Sequence, residues 1–292
     1  MFAVTLITSP AAPSLDPALA DSLRNAWGGG DLQWLAPDEA AEFPVQHRPP
    51  NIDAVREDLR GHGVDITIQP AAGRRKAILL ADMDSTMIRQ ECIDELADEA
   101  GVGARVADIT ARAMNGELNF ESALRARVAL LKGLPEHVIT QVLATRIHLM
   151  PGGPVLLATM KANGAYTALV SGGFTAFTAA IAATLGFDEH RANTLIAEDG
   201  VLTGEVGEPI LGKQAKLDSL HRICAARGLA PRDVLAVGDG ANDLAMLSAA
   251  GAGVALHAKP AVAAQTRLRI DHGDLTALLY LQGYAQSEFV QP

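Results

Sequence analysis

The sequence predicts an α/β protein built mainly on a doubly wound parallel sheet of the Rossmann-like type. From residue 151 onward, strand patterns alternate with helix patterns, as in DVLAVGD followed by NDLAMLSAAG. The strand patterns are nearly continuous apolar runs, which is typical of parallel strands covered by helices on both faces. Three of the strands also end in small clusters of polar residues. Because ligands of such sheets bind beyond the carboxyl ends of the strands, this edge is the expected functional site.

The first 72 residues carry a different pattern, which predicts a small separate α+β domain. Strand patterns occur in FAVTLIT, DLQWL, AEFPVQH and VDITIQP. A helix pattern, DPALADSLRNAW, follows the first strand, and a second, NIDAVREDLRGHG, precedes the last. This βαββαβ order is that of a ferredoxin-like domain. The next stretch, PAAGRRK, is interpreted as a linker. We therefore expect a domain spanning residues 1–72.

Residues 90–150 carry only helix patterns, although a strand pattern at 76–82 precedes them. The four candidate helices are CIDELADEAG, ARVADITARAMNG, FESALRARVALLKG and PEHVITQVLATR. Since the strand at 76–82 belongs with the later strands in one sheet, these helices form an insertion. The core is then expected to comprise residues 73–89 and 151–292, with a helical bundle at 90–150 inserted in it.

The remaining core elements follow in a regular order. We predict, in chain order, a strand in AYTALV, a helix in FTAFTAAIAATLG, a hairpin in TLIAEDGVLTGEV and a helix in KLDSLHRICAARG. A strand in DVLAVGD, a helix in NDLAMLSAAG, a strand in GVALHA, a helix in KPAVAAQ, a strand in RLRID and a helix in DLTALLYLQG follow. The pair Asp199-Gly200 predicts the turn of the hairpin. The order matches a sheet with helices on both faces.

Composition narrows the class of protein. The chain has 292 residues, 49% of them apolar and 20% charged, which is enough apolar material for a large core. The net charge of −10 and the lack of a basic cluster argue against a nucleic-acid partner. No apolar run is long enough to span a membrane, and Cys92 and Cys224 are expected to be free thiols. We expect a cytoplasmic protein with a small-molecule substrate, and a homodimer is compatible with the sequence.

Two carboxylates, Asp82 and Asp84, follow the first strand of the core. A carboxylate is ionised at neutral pH and can attack a phosphate monoester, giving an aspartyl-phosphate. Mg²⁺ held by Asp82 and by Asp239, at the end of another strand, would reduce the repulsion between the two anions. Asp84 shares a side of the extended chain with Asp82. It would serve as general acid to the leaving oxygen and then as general base to water.

The second strand of the core ends in a candidate phosphate-binding loop. Ser171 offers a hydroxyl group, and Gly172 and Gly173 offer backbone amides at the start of a helix pattern. Lys216 offers a cation that would stabilise charge on the phosphoryl oxygens. Lys213 lies three residues earlier and is the alternative for this role.

The motifs DMDST, SGG, a following lysine and GDGAND together resemble those of the haloacid dehalogenase superfamily. The longer segments ECIDELA, NGELNFESALRARVALLKG, VSGGFTAF, ANTL, DGVLTG and AVGDGANDLAML resemble its phosphoserine phosphatase branch, over residues 76–280. The resemblance implies a HAD-like core with an inserted cap. It implies that Asp82 and Asp84 are catalytic and that Asp82, Asp84 and Asp239 bind the metal. It implies a set of phosphate- and substrate-binding residues: Glu91, Arg127, Ser171, Gly172, Lys216 and Asn242. The supporting residues that it implies are Asp243, Met114 and Phe120.

The same resemblance implies a substrate and a reaction. The substrate is O-phospho-L-serine, which is hydrolysed to L-serine and phosphate with Mg²⁺ in the final step of serine biosynthesis. Glu91 would bind the substrate ammonium and Arg127 its carboxylate, while Met114 and Phe120 would close over the ligand. Arginine suits this task because its guanidinium binds a carboxylate through two hydrogen bonds. The N-terminal domain resembles ACT-like regulatory domains in the order of its elements.

Two alternatives remain open from the residues alone. The first is a related phosphatase that acts on another small phosphomonoester. The second is a phospho-accepting signalling module, since receiver domains also combine a strand-end aspartate with Mg²⁺, a hydroxyl group and a lysine. Asp84 and the cap argue against the second alternative, because such a module needs neither a leaving-group acid nor a lid.

Overall fold

The computed structural model describes residues 1–114 and 117–292, with Met114 described by its backbone alone. These residues form two structural units. The first comprises residues 1–80, 151–167 and 220–292, and the second comprises residues 81–150 and 168–219. The division into three domains expected from the sequence stays a prediction.

The N-terminal segment folds in the predicted βαββαβ order. Its elements are β1 (Phe2–Ile7), α1 (Pro17–Ala26), β2 (Gln33–Ala36), β3 (Ala40–Val45), α2 (Ile52–Arg60) and β4 (Asp65–Pro70). The strands form an antiparallel sheet in the order β2-β3-β1-β4, which is the ferredoxin-like arrangement. Alternate side chains such as Val4, Leu6 and Phe43 point to one face and pack in a buried apolar cluster with α1 and α2.

The helical insertion follows the short strand β5 (Ile78–Ala81). It contains α3 (Cys92–Glu99), α4 (Gly103–Met114), α5 (Phe120–Ala129) and α6 (His137–Thr145), so all four predicted helices are present. Residue 119 caps α5, because the Asn119 side chain accepts a hydrogen bond from the Ser122 amide at 2.8 Å. This cap fixes the position at which the helix begins, and with it the placement of Phe120.

The rest of the chain alternates between strands and helices. In order, the elements are α7 (Gly153–Ala162), β6 (Tyr166–Phe174), α8 (Thr175–Leu185), β7 (Glu189–Asn193), β8 (Leu195–Glu198), β9 (Val201–Val206), α9 (Lys213–Arg227), β10 (Val234–Gly238), α10 (Leu244–Ala249), β11 (Ala252–Leu256), α11 (Pro260–Ala263), β12 (Leu268–Ile270) and α12 (Ala277–Leu281). The large sheet has the order β12-β11-β10-β5-β6-β7. Neighbours β6 and β7, β10 and β11, and β11 and β12 pair in parallel. All residues of β5 and β10 are buried, as expected for a sheet covered on both faces.

The hairpin of β8 and β9 turns at Asp199 and Gly200, as the sequence predicts, and both residues have positive φ angles. The hairpin also binds the chain between α5 and α6. The Gly133 amide donates to the Leu202 carbonyl at 2.9 Å, and the Leu202 amide donates to the Leu134 carbonyl at 2.9 Å. The end of α5 is therefore tied to this hairpin by backbone hydrogen bonds.

In the first unit, the second face of the N-terminal sheet packs on the C-terminal segment around α12. The Asp65 carboxylate accepts hydrogen bonds from the backbone amides of residues 271, 272 and 273 at 2.8, 3.0 and 2.8 Å. The Gln69 side chain donates to the Leu281 carbonyl at 2.6 Å. Two buried polar side chains of β4, Asp65 and Gln69, are thus satisfied by backbone groups of the C-terminal segment.

Two elements lie outside the sequence prediction, α7 and β7. Helix α7 starts in the stretch GGPV, which looks like a turn, but proline is tolerated in the first turn of a helix. Strand β7 has the polar sequence EHRAN and lacks a strand pattern. Strand β6 also continues through the two glycines to Phe174, beyond its predicted end at Val170. Within the described residues, none of the helices combines the length and apolar character of a membrane span.

Candidate active site

Asp82 follows β5 directly and is paired with a buried lysine. The Lys216 Nζ atom lies 2.6 Å from Asp82 Oδ1, and the two side chains are only 2% and 6% exposed. The Met83 amide donates a second hydrogen bond to the same oxygen at 2.8 Å. Because burying either charge alone would be very unfavourable, the pair fixes both side chains in place.

Asp84 is held by different groups. Its Oδ2 atom accepts a hydrogen bond from the Ser171 hydroxyl at 2.9 Å, and its Oδ1 atom accepts one from the Cys92 amide at 2.8 Å. Cys92 is the first residue of α3, so Asp84 binds an otherwise unsatisfied helix N–H group. Burial, followed by the nearby Asp84 carboxylate, raises the pKa of the Cys92 thiol. The thiol is therefore protonated and is a poor nucleophile.

The Ser171–Gly173 loop lies against Asp84. The Gly173 amide donates a hydrogen bond to Ser171 Oγ at 2.8 Å, which leaves the hydroxyl proton for Asp84. A Cβ atom at position 173 would lie 2.7 Å from Asp84 Oδ2, so any larger residue would displace that carboxylate. Gly173 is thus required because the Asp84 carboxylate lies too close to its Cα atom for a side chain to fit.

The structure distinguishes between Lys213 and Lys216, the two lysines that the sequence left as alternatives for the cationic role. Lys213 is the first residue of α9 and is exposed, whereas Lys216 is buried against Asp82. This geometry favours Lys216 as the cation beside the reacting groups.

Glu91 and Arg127 lie in the second unit with Asp84. Ser85 Oγ donates to Glu91 Oε1 at 2.9 Å. Burial lowers the pKa of Arg127, while the charges of Asp94, Glu91 and Asp84, in decreasing order, act to raise it. Burial likewise raises the pKa of Asp94, and the Arg127 charge opposes that shift. The guanidinium therefore stays ionised in a partly buried, carboxylate-rich region.

Phe120 begins α5, and its ring lies near Gly172 and Gly212. A Cβ atom at Gly172 would lie 3.3 Å from Phe120 Cζ, and one at Gly212 would lie 3.4 Å from Phe120 Cδ1. The ring thus contacts the loop and the residue just before α9. The side chain of Met114, the other predicted cover, lies outside the described residues.

Three predicted residues lie in the first unit, after β10. The Asp239 carboxylate is buried and lies 3.9 Å from Lys259 Nζ, and the Lys259 amide donates to the Asp239 carbonyl at 3.2 Å. Asp243 is fully buried and accepts a hydrogen bond from the Gly240 amide at 3.0 Å. Asn242 between them is half-buried. The GDGAND motif is thus a tight turn that fixes two carboxylates.

The donor groups suit a hard divalent cation. Buried carboxylates are present in each unit: Asp239 and Asp243 in the first and Asp82 in the second. Carboxylate oxygens are the ligands that Mg²⁺ prefers in proteins. The residues present therefore fit the predicted cofactor.

One buried side chain near the loop was not assigned a role from the sequence. Asn193 ends β7 and hydrogen-bonds the backbone of Gly172 and Leu211. An asparagine at the end of a strand is its only sequence signal, because asparagine is rare in strands.

Comparison with known proteins identifies the family. Residues 79–248, more than half of the chain, match the family model of haloacid dehalogenase-like hydrolases. A phosphoserine phosphatase from Streptomyces coelicolor is 42% identical over 98% of this chain and 71% of its own length. The chain belongs to the phosphoserine phosphatase family of haloacid dehalogenase-like hydrolases.

Other similar proteins cover different shares of the chain. A phosphoserine phosphatase from Haemophilus influenzae is 47% identical over 70% of this chain, and the match spans 65% of that relative. A solved HAD family hydrolase from Salmonella enterica serovar Typhi is 31% identical, with a TM-score of 0.85, over 96% of this chain and 97% of its own. A phospho-aspartyl intermediate analogue of a phosphoserine phosphatase is 41% identical, with a TM-score of 0.66, over 70% of this chain and 98% of its own.

Proposed function

We propose that the protein is a Mg²⁺-dependent phosphoserine phosphatase that hydrolyses O-phospho-L-serine to L-serine and phosphate, as the final step of serine biosynthesis. The observation that carries the proposal is the buried Asp82–Lys216 pair beside an Asp84 carboxylate bound by Ser171. It is supported by relatives named as phosphoserine phosphatases and by the phospho-aspartyl analogue of one solved relative.

The first step is attack by Asp82. A carboxylate oxygen of Asp82 forms a bond to phosphorus, and the bond from phosphorus to the serine oxygen breaks. Lys216 faces Asp82 Oδ1 and would compensate negative charge on the phosphoryl oxygens. Asp82 and Asp239, with the Asp84 carbonyl, would hold Mg²⁺. When bound, this ion would reduce the repulsion between carboxylate and phosphate.

Asp84 would handle the protons. In its acid form it would donate a proton to the departing serine oxygen, and as a carboxylate it would then take a proton from water. That water attacks phosphorus and breaks its bond to Asp82, which releases phosphate and restores the carboxylate. The hydrogen bonds from Ser171 and Cys92 keep Asp84 in position for both steps.

Glu91 and Arg127 would select phosphoserine. The substrate head carries one ammonium and one carboxylate, and these two side chains offer the complementary charges. The Arg127 guanidinium would bind the substrate carboxylate through charge-assisted hydrogen bonds.

A comparison of substrates tests this assignment. We expect Glu91→Gln and Arg127→Ala to raise the KM for phosphoserine about tenfold or more, while the KM for p-nitrophenyl phosphate, which has no amino-acid head, changes little. Arg125→Ala is the matched control, because Arg125 lies on the same helix but is exposed and pairs with Glu121 and Glu208. Steady-state kinetics with and without Mg²⁺ would measure these changes.

Two outcomes would change the proposal. Equal effects on both substrates would favour a phosphatase for another small phosphomonoester. A single stoichiometric phosphorylation of Asp82, without continued release of phosphate, would favour a phospho-accepting module.

A further inference from the structure

Asn193 links two separate segments of the candidate site through its carboxamide. The side chain is buried, with 1% of the residue exposed. Its Nδ2 atom donates to the Gly172 carbonyl at 2.8 Å and to the Leu211 carbonyl at 3.3 Å. Its Oδ1 atom accepts a hydrogen bond from the Leu211 amide at 2.7 Å. All the hydrogen-bonding ends of the carboxamide therefore point at backbone of the site.

The first linked segment is the phosphate loop. Within one planar trans peptide, the carbonyl and the N–H group point in opposite directions. Fixing the Gly172 carbonyl therefore also orients the Gly173 N–H group, which donates to Ser171 Oγ at 2.8 Å. The Ser171 hydroxyl group in turn donates a hydrogen bond to Asp84 Oδ2 at 2.9 Å. A continuous chain of hydrogen bonds thus runs from Asn193 to the carboxylate proposed as general acid and base.

The second linked segment leads into α9. Leu211 stands two residues before the helix begins at Lys213, and the first turn of the helix carries Lys216. Both backbone groups of Leu211 bind Asn193, so the start of the helix is held relative to β7. The Phe120 ring contacts Gly172 and Gly212, which belong to the same two segments.

The chemistry of these contacts makes the carboxamide hard to replace. Only asparagine offers an N–H donor and a carbonyl acceptor on a side chain of this length. An apolar replacement would leave the Leu211 amide and the Gly172 carbonyl buried without these partners, which is unfavourable. A carboxylate replacement would face two carbonyl oxygens and repel them.

We propose that Asn193 is a positioning residue of the phosphate subsite, which sets the distance between the Ser171–Gly173 loop and the lysine-bearing start of α9. The proposal rests on the proposed function only in that the subsite binds a phosphoryl group. It does not depend on which ester the enzyme prefers. Asn193 acts through the backbone and does not itself touch the substrate.

Binding of inorganic phosphate in the presence of Mg²⁺ tests the proposal. Because a lost hydrogen-bond network loosens both halves of the subsite, we expect Asn193→Ala and the near-isosteric Asn193→Asp to weaken phosphate binding about tenfold. The KM for phosphoserine and the KM for p-nitrophenyl phosphate should rise by the same factor, unlike in Arg127→Ala. Calorimetric titration of the full-length variants with phosphate gives the affinity, and thermal unfolding gives the stability.

Asn163→Ala is the control. Asn163 makes one amide-to-carbonyl hydrogen bond, to Thr159 at 2.9 Å, at the end of α7 in the other unit. It should change stability without changing phosphate affinity. The proposal is wrong if Asn193→Ala and Asn193→Asp lower the unfolding temperature yet bind phosphate within twofold of the unaltered protein. Phosphate binding by an unaltered protein that does not hydrolyse phosphoserine would instead refute the proposed function alone.

Discussion

Asp82 and Asp84 are separated by one residue, yet the protein surrounds them with different donors. Asp82 faces the Lys216 ammonium, whereas Asp84 faces a hydroxyl group and a backbone amide. A fixed positive charge favours the ionised form of Asp82, which a nucleophile requires. The two proposed roles therefore follow from surroundings rather than from residue type.

Replacing Asp82 should remove turnover. An asparagine at this position is not a competent nucleophile, but its oxygen can still accept a hydrogen bond from Lys216, so the fold should persist. We expect Asp82→Asn to show no measurable release of phosphate from phosphoserine, and to unfold cooperatively but at a lower temperature, because the buried Lys216 loses its counter-charge. Appreciable activity of this variant with Mg²⁺ would refute attack by Asp82.

The effect of replacing Asp84 on the reaction rate should depend on the leaving group of the substrate. The serine alkoxide needs a proton as it departs, whereas p-nitrophenolate is stable without one. We expect Asp84→Asn to slow the release of serine from phosphoserine about 100-fold in the first turnover, and the release of p-nitrophenol from p-nitrophenyl phosphate much less, because the later attack by water is common to both esters. A parallel assay of the two esters gives the ratio, and equal losses for both would argue against a general acid.

Candidate site residues at strand ends could be predicted because buried strands that end in polar residues at a sheet edge are unusual. Asp82 and Asp84 follow this rule after β5, whereas Ser171 lies within β6, which continues to Phe174. The choice of Lys216 over Lys213 needed the structure, because only burial separates them. Asn193 could not be assigned, since its partners are backbone atoms about twenty residues away on either side.

At the scale of elements, α5 combines two residues proposed to contact the substrate with attachment to neighbouring segments. It carries Phe120 and Arg127, and Arg125 on the same helix pairs with Glu121 and with Glu208 beyond the hairpin. The chain after α5 is hydrogen-bonded to β9. A helix attached in this way is suited to act as a fixed wall of the site.

Hydrogen exchange should reveal the unequal attachment of the cap helices. Adding phosphoserine to the Asp82→Asn variant gives a bound substrate that is not turned over. We expect exchange to slow in residues 103–114 as the cap closes, with little change in residues 120–136, where the backbone is already held. Protection confined to residues 120–136 would contradict this expectation.

Most elements were predicted because periodic apolar residues mark them, and the four cap helices and the hairpin are examples. Strand β7 was not predicted because its position in the sheet depends on the neighbouring strand and not on its own polar sequence. Helix α7 was not predicted because glycine and proline at its start are also typical of a turn.

At the scale of the molecule, one buried glutamate makes stability depend on pH. Glu39 is 4% exposed. Burial and, to a lesser extent, the charge of Asp274 raise its pKa, and the neighbouring Tyr280 hydroxyl opposes the shift. The folded protein therefore binds more protons than the unfolded chain above the ordinary pKa of 4.5. Its stability should fall as the pH rises from that value through the raised pKa of Glu39.

Glu39→Gln should remove this part of the pH dependence, because glutamine does not titrate. We expect the free energy of unfolding of the variant to fall less than that of the unaltered protein as the pH rises from about 4.5 to 8. Urea unfolding at several pH values gives the comparison, with exposed Glu205→Gln as the control. Identical slopes in all three proteins would contradict the assignment.

The large-scale organisation was only partly predictable. Composition and alternation indicate the α/β class, and the βαββαβ order indicates the N-terminal fold. The packing of that sheet on the C-terminal segment has no sequence signature, because Asp65 binds backbone amides that any residue would offer.

The three amides that Asp65 occupies have a practical consequence for shortened proteins. A chain that starts at residue 73 would leave those donors and the Leu281 carbonyl facing water, and the apolar side chains of α12 would lose their cover. Such a truncated enzyme should unfold at lower temperature and tend to aggregate, even though every proposed catalytic group remains. The N-terminal segment thus serves as a folding partner of the phosphatase core and not as a detachable appendage.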